Sequence, residues 1–147
     1  MSPVNFEVVV EGDALDFSPV ANRAIDKAFE LMATEVWGNI AREAPTDEGR
    51  LGGSFELVRE GSRQWRVFTN ALYATFVHDG TGIHGPVGRR IVPKRASVLV
   101  YRWMGKTWFS KSVAGQKPNP FADRAIAQAE TRAEDFAKLA IRQVFDS

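Results

Sequence analysis

Leu72-Tyr73-Ala74-Thr75-Phe76-Val77-His78-Asp79-Gly80-Thr81-Gly82 is an aromatic-rich apolar run halted by a turn that two glycines bracket. Apolar side chains this dense ask for burial, so Tyr73, Phe76 and Val77 are predicted to form a cluster that supports the fold and contacts no ligand. Gly80 and Gly82 reach positive φ without a Cβ clash, which lets the chain reverse around Thr81 while the Thr81 hydroxyl bonds nearby backbone. These residue types favour a structural turn. In an assembly the same turn can also shape a contact between subunits.

Before that run, Phe6, Val8 and Val10 alternate with Glu7, Val9 and Glu11, a strand that Gly12-Asp13 ends. Ser18 followed by Pro19 opens a helix, and Ile25, Phe29, Met32, Val36 and Ile40 recur on one face of it. The spacing predicts a long amphipathic helix from about Pro19 to Glu43. Gly38 costs that helix roughly 1 kcal/mol against Ala, which points to a close packing neighbour. Pro45 stops the helix, and Thr46-Asp47-Glu48-Gly49 follows as a polar loop. Ser54 to Arg59 and Gln64 to Thr69 then read as a hairpin, with Glu60-Gly61-Ser62-Arg63 as a loop of about four residues.

After the run, Gly80 to Lys94 holds four glycines, two prolines and three basic residues with no hydrophobic period. It is predicted to be a long exposed loop, mobile in the free subunit. Ala96 to Trp103 and Lys106 to Val113 read as a second hairpin turning at Met104-Gly105, with Tyr101, Trp103, Trp108 and Phe109 along it. Alternation puts Tyr101 and Trp103 on one face and Arg102 on the other, which sends the aromatics into a core or an interface and leaves the cations solvated. Gly115-Gln116-Lys117-Pro118 breaks the pattern. Asn119 and Pro120 then open one closing helix, with Phe121, Ala125, Ala129, Ala133, Phe136, Ala140 and Val144 along a stripe.

A chain of 147 residues suits one domain, 1–147, able to bury about 68 to 70 per cent of its unfolded surface. Its 44% hydrophobic and 25% charged residues belong to an ordinary folded domain rather than a disordered chain. With no cysteine there is no disulfide, thiolate metal site or cysteine nucleophile. No basic segment leads into an apolar stretch and no run approaches ~20 apolar residues, so neither signal-peptide export nor a membrane span is expected. The formal charge is only +1. It is unevenly spread: Gly80 to Ala122 contains no Asp or Glu, but holds Arg89, Arg90, Lys94, Arg95, Arg102, Lys106, Lys111 and Lys117.

Three function classes compete for that basic segment. Catalysis would begin with His78, Asp79 and His84. Histidines six residues apart fall on opposite faces of a helix and fit no helical ligand spacing, so no catalytic residue, metal or cofactor is expected. Nucleic-acid binding would combine the cations with stacking on Tyr101, Trp103, Trp108 and Phe109, and the strand alternation argues against it. Assembly fits best, because segregated charge suits a subunit that meets an acidic neighbour. Arg89, Arg90, Lys94, Arg95, His78 and Asp79 are the interface candidates.

Three motifs carry a resemblance over roughly residues 19 to 130. The first is Pro45 ending a helix, followed by Gly49-Arg50-Leu51 with Ser54; Glu48 stands where a threonine is common. The second is Tyr73 and Ala74 running through Val77 into Gly80-Thr81-Gly82, with His78-Asp79 in place of an acidic-then-aromatic pair. The third is Pro120, Phe121, Arg124 and Ala125 at the start of the closing helix, from which Ala122-Asp123 departs. In these motifs the chain resembles the head-to-tail joining, or tail-completion, neck proteins of long-tailed bacteriophages.

The resemblance implies an α+β subunit: a long N-terminal amphipathic helix and a C-terminal helix packed on a small, mainly antiparallel β-sheet, with a long exposed basic loop. It also implies a structural virion protein without enzymatic activity or cofactor, assembled in the host cytoplasm into a homo-oligomeric ring, sixfold or else twelvefold. Such a ring sits in the neck or at the head-proximal end of the tail and joins the capsid connector to the tail tube as a tail-completion or tail-terminator-like component. Its partners would be connector or stopper and tail tube proteins, with transient contact with phage DNA in the channel and no membrane. A minor capsid or head-completion protein is the second reading, and a basic nucleic-acid-binding domain the third.

Overall fold

The computed structural model describes residues 6–12, 18–45, 50–71, 73–103 and 105–146. The expected turn residues Asp13 and Met104, Leu72 and the loop Thr46-Asp47-Glu48-Gly49 lie outside the described residues, as do the side chains of Arg50, Arg102 and Trp103. The fold is α+β, with helices and small antiparallel sheets. It forms two compact units, Met1–Ala74 with Phe121–Ser147, and Thr75–Pro120.

In the first unit the alternating N-terminal run is strand β1 (Phe6–Glu11) and the amphipathic segment is helix α1 (Pro19–Glu43). Ser18 caps α1, its Oγ accepting from the Ala21 N–H at 3.2 Å. A short helix α2 (Arg50–Gly53) follows, then strands β2 (Glu56–Gly61) and β3 (Gln64–Thr69). The antiparallel order is β1-β3-β2, with Val8 and Leu57 both opposite Val67. Period-2 alternation therefore turns Val8, Leu57 and the fully buried Val67 to one face. The hairpin loop is Ser62-Arg63, two residues rather than four, because β2 continues to Gly61 through a register irregularity after Arg59.

The closing segment folds as two helices, α4 (Phe121–Glu130) and α5 (Ala133–Phe145), not as one. Thr131 donates its hydroxyl to the Gln128 carbonyl at 2.7 Å, the acceptor that a continuing helix would offer the Arg132 N–H. That N–H turns to the Ala129 carbonyl instead, at 3.0 Å. The break takes Ala133 out of the stripe and exposes it, while Phe121, Ala125, Ala129, Phe136 and Ala140 stay buried.

Both helices pack against α1. Asn39, completely buried on α1, bridges to α4: its Nδ2 donates to the Ala125 carbonyl at 3.1 Å, and its Oδ1 accepts from Arg42. Phe121 lies in a ring cluster with Phe6 and Phe55, centroids 5.6 and 5.9 Å away. Gly38 has no close packing neighbour; a Cβ there would meet only the tip of Arg42, at 3.6 Å. The tight approach belongs to Gly52, where a Cβ would lie 2.6 Å from the Ala41 carbonyl oxygen, so α2 touches α1 backbone to backbone.

Helix α3 (Ala74–Asp79) leads into the second unit and replaces the expected apolar cluster. On a helix Ala74 and His78 share a face, and that face is the covered one. Tyr73 and Phe76 are left outward, at 44% and 57% exposure, which corrects their expected burial; Val77 is half-buried. Strands β4 (Leu99–Trp103) and β5 (Lys106–Ser110) form the second hairpin, shorter than its sequence limits suggested. Gly80 to Lys94 is exposed over much of its length but is not a free loop. A 3-10 turn spans Gly82–His84, and Ile91 exchanges both backbone hydrogen bonds with Val113 at 2.9 and 3.0 Å.

Candidate assembly surface

The reversal that opens the basic segment is built by backbone pairing that only small residues permit. Thr81 donates its N–H to the Gln116 carbonyl at 2.9 Å, and its hydroxyl accepts from the Gln116 N–H at 2.8 Å. Ile83 donates to the Ala114 carbonyl at 2.8 Å. Gly82, at φ +62°, and Gly115, at φ +95°, face each other across this pairing. A Cβ on either would collide with the opposite strand's carbonyl, from Ala114 or Thr81, so the two glycines set how closely the segments approach. Thr81 thus bonds backbone as expected, but 35 residues along the chain rather than beside itself.

The pairing presents the cations. Arg89, Arg90, Lys94, Arg95, Lys106, Lys111 and Lys117 are all exposed. Arg90 donates from Nε to Ser112 Oγ at 3.0 Å, which places its head beside the 111–113 segment. Asp79 is the sole carboxylate between Thr75 and Pro120, so eight cations less one carboxylate leave this unit at +7. Asp79 itself lies 2.9 Å from His78 Nδ1. Among the described residues, no ion pair joins Arg89, Arg90, Lys94, Arg95, Lys106, Lys111 or Lys117 to that carboxylate.

Apolar side chains share that exposure. Val87 is 73% exposed, Val100 62% and Phe109 67%, with Ile83, Val92 and Trp108 also open. Cross-strand register explains the hairpin's part: Val100 pairs with Phe109 and Tyr101 with Trp108, so the two pairs lie on opposite faces. The aromatics therefore do not gather in a core. Val100 and Phe109 were legible as a pair from the turn at Met104-Gly105, since a two-residue loop fixes which residues face each other; attention to aromatic type alone hid the valine.

The remaining candidate residues divide between the units. Leu51 and Phe121 are core residues, Ala74 is buried, and Pro45 follows the end of α1. Arg124 reaches back to α1, donating from Nε to Glu43 Oε2 at 2.9 Å, while Gln128 donates to Glu43 Oε1 at 2.8 Å. The Arg124 hydrogen bond, then that of Gln128, holds the Glu43 carboxyl below its ordinary pKa. His78 and Asp79 contact each other. Among the described residues no three His, Asp or Glu side chains come together as a metal site, and no helix is long and apolar enough to cross a membrane. The surface offers dispersed positive charge around open apolar side chains. No family model, curated protein or solved structure matches the chain.

Proposed function

We propose that the chain is a structural virion subunit, a tail-completion or tail-terminator-like component that forms a ring at the head-to-tail interface and joins the capsid connector to the tail tube without catalysing a reaction. The observation that carries the assembly part is the unit 75–120, at +7, with exposed Val87, Val100 and Phe109 among its cations. Apolar centres with charged surroundings suit burial against a partner of opposite charge, which gives register and fast association. The three short motifs around Pro45, Gly80 and Pro120 support the phage setting.

Reversing Arg89, Arg90 and Arg95 to Glu tests it in the phage that encodes the chain. These exposed positions should each cost within ~0.5 kcal/mol of stability, and filled heads and normal-length tails should accumulate unjoined. Overlong tails would assign termination of tail growth instead. Normal virion yield from the triple variant, with wild-type protein holding DNA tightly at physiological salt, would overturn the reading in favour of a nucleic-acid-binding domain.

A further inference from the structure

The three-stranded sheet of the first unit has a second face. Alternation from the buried Val67 turns Glu7, Val9, Arg66, Glu56 and Val58 outward together, with Val9 and Val58 flanking Arg66 in register. Arg66 lies 2.9 Å from Glu60 and 3.5 Å from Glu7, which places Glu60 on the same face. Glu11, the outward residue two beyond Val9, and Glu56 are exposed, and neither makes an ion pair among the described residues. The face thus carries four carboxylates, Glu7, Glu11, Glu56 and Glu60, against the one cation Arg66, with the exposed Val9 and Val58 between them.

We propose that this acidic valine face receives the β4–β5 hairpin of a second copy of the chain, Val100 and Phe109 packing on Val9 and Val58. Charge complementarity selects the occupant. Thr75–Pro120 is at +7 and the rest of the chain, by difference from +1, at −6, so two copies in head-to-tail contact neutralise what each carries unbalanced. Lys111, exposed, follows β5 two residues beyond Phe109, so a cation borders the apolar hairpin pair as carboxylates border the valines. Val9 and Val58 on the sheet face, and Val100 and Phe109 on the hairpin, are exposed. Because the two surfaces differ, the contact is heterologous, and repetition closes a ring or extends a filament. This contact deepens the reading of the chain as a self-assembling subunit and does not depend on its place in a virion.

Sedimentation of the purified full chain tests it at low salt and at about 1 M salt, where the screening length falls to about 3 Å. Wild-type protein should form species larger than a dimer that dissociate at high salt. Phe109→Glu and Val9→Lys should each sediment as monomers with wild-type circular dichroism. An equal mixture of the two should give a one-to-one dimer and nothing larger, because only one intact hairpin and one intact sheet face can meet. If either variant melts early, Thr107→Glu and Val58→Lys, at exposed positions on the same faces, replace them. A monomeric wild type, association that survives either variant, or a mixture that stays monomeric overturns the proposal. So does a monomeric wild type that retains single-stranded oligonucleotide through Phe109, which would assign the hairpin to nucleic acid. Failure here with unjoined heads and tails in the virion test would leave the neck reading standing and remove only this contact.

Discussion

Phe121→Ala and Phe76→Ala together test the division between core and surface, because both side chains belong to apolar runs in the sequence and only one is buried. Phe121 has no exposed surface and meets the rings of Phe6 and Phe55 at 5.6 and 5.9 Å. Transfer of a buried Phe from water contributes about 1.5–3 kcal/mol, and the cavity left by truncation raises the loss to about 3–5 kcal/mol. That total already contains two aromatic contacts of about 0.5–1.5 kcal/mol each. Against a stability of about 5–15 kcal/mol for a domain, Phe121→Ala should stay folded with a much lower urea midpoint and an unchanged slope. Phe76, at 57% exposure, should shift stability by no more than about 0.5 kcal/mol. Tryptophan fluorescence follows the transition, since Trp37 donates from Nε1 to the Phe55 carbonyl at 3.0 Å and so reports on the ring cluster. A Phe121→Ala cost below about 1 kcal/mol, or equal costs at the two positions, would refute this account of the core.

Other measurements probe the remaining contacts. Gly82→Ala should strain the positive-φ turn by about 1–2 kcal/mol, and the collision with the Ala114 carbonyl should speed hydrogen exchange at Ile83; unchanged protection there would contradict the pairing. In the wild type the Ile83, Ile91 and Val113 amides should exchange slowly, and uniformly fast exchange from Gly80 to Lys94 would restore the free loop. Asn39→Ala should cost about 1–3 kcal/mol, because it leaves a buried donor-acceptor bridge unmade; a neutral effect by urea unfolding would show the bridge to be dispensable. Glu43 has its folded pKa lowered, so its contribution is complete above the unfolded value near 4.5 and fades as pH falls through the lower folded value. Arg124→Ala should weaken that acid dependence, and an unchanged pH profile would count against the Arg124 contact.

Local signals determined much of this molecule. Ser18-Pro19 and the spacing from Ile25 to Ile40 set α1 because a cap and a helical period are properties of neighbouring residues. Gly80 and Gly82 marked the reversal because positive φ is a backbone demand that glycine meets alone. The break between α4 and α5 depended on a competition at one carbonyl, where the Thr131 hydroxyl displaces the helical N–H, and apolar periodicity runs through it unaltered. Only tertiary structure decided which side of the Tyr73–Val77 run faces inward, because Ala74 and His78 fit the covered face and a run apolar on every side does not choose for itself. It alone paired Thr81 with Gln116 and made the acidic sheet face and the basic hairpin distinct surfaces: charge is written along the chain, but the company each charge keeps is fixed by strands that meet only in the fold.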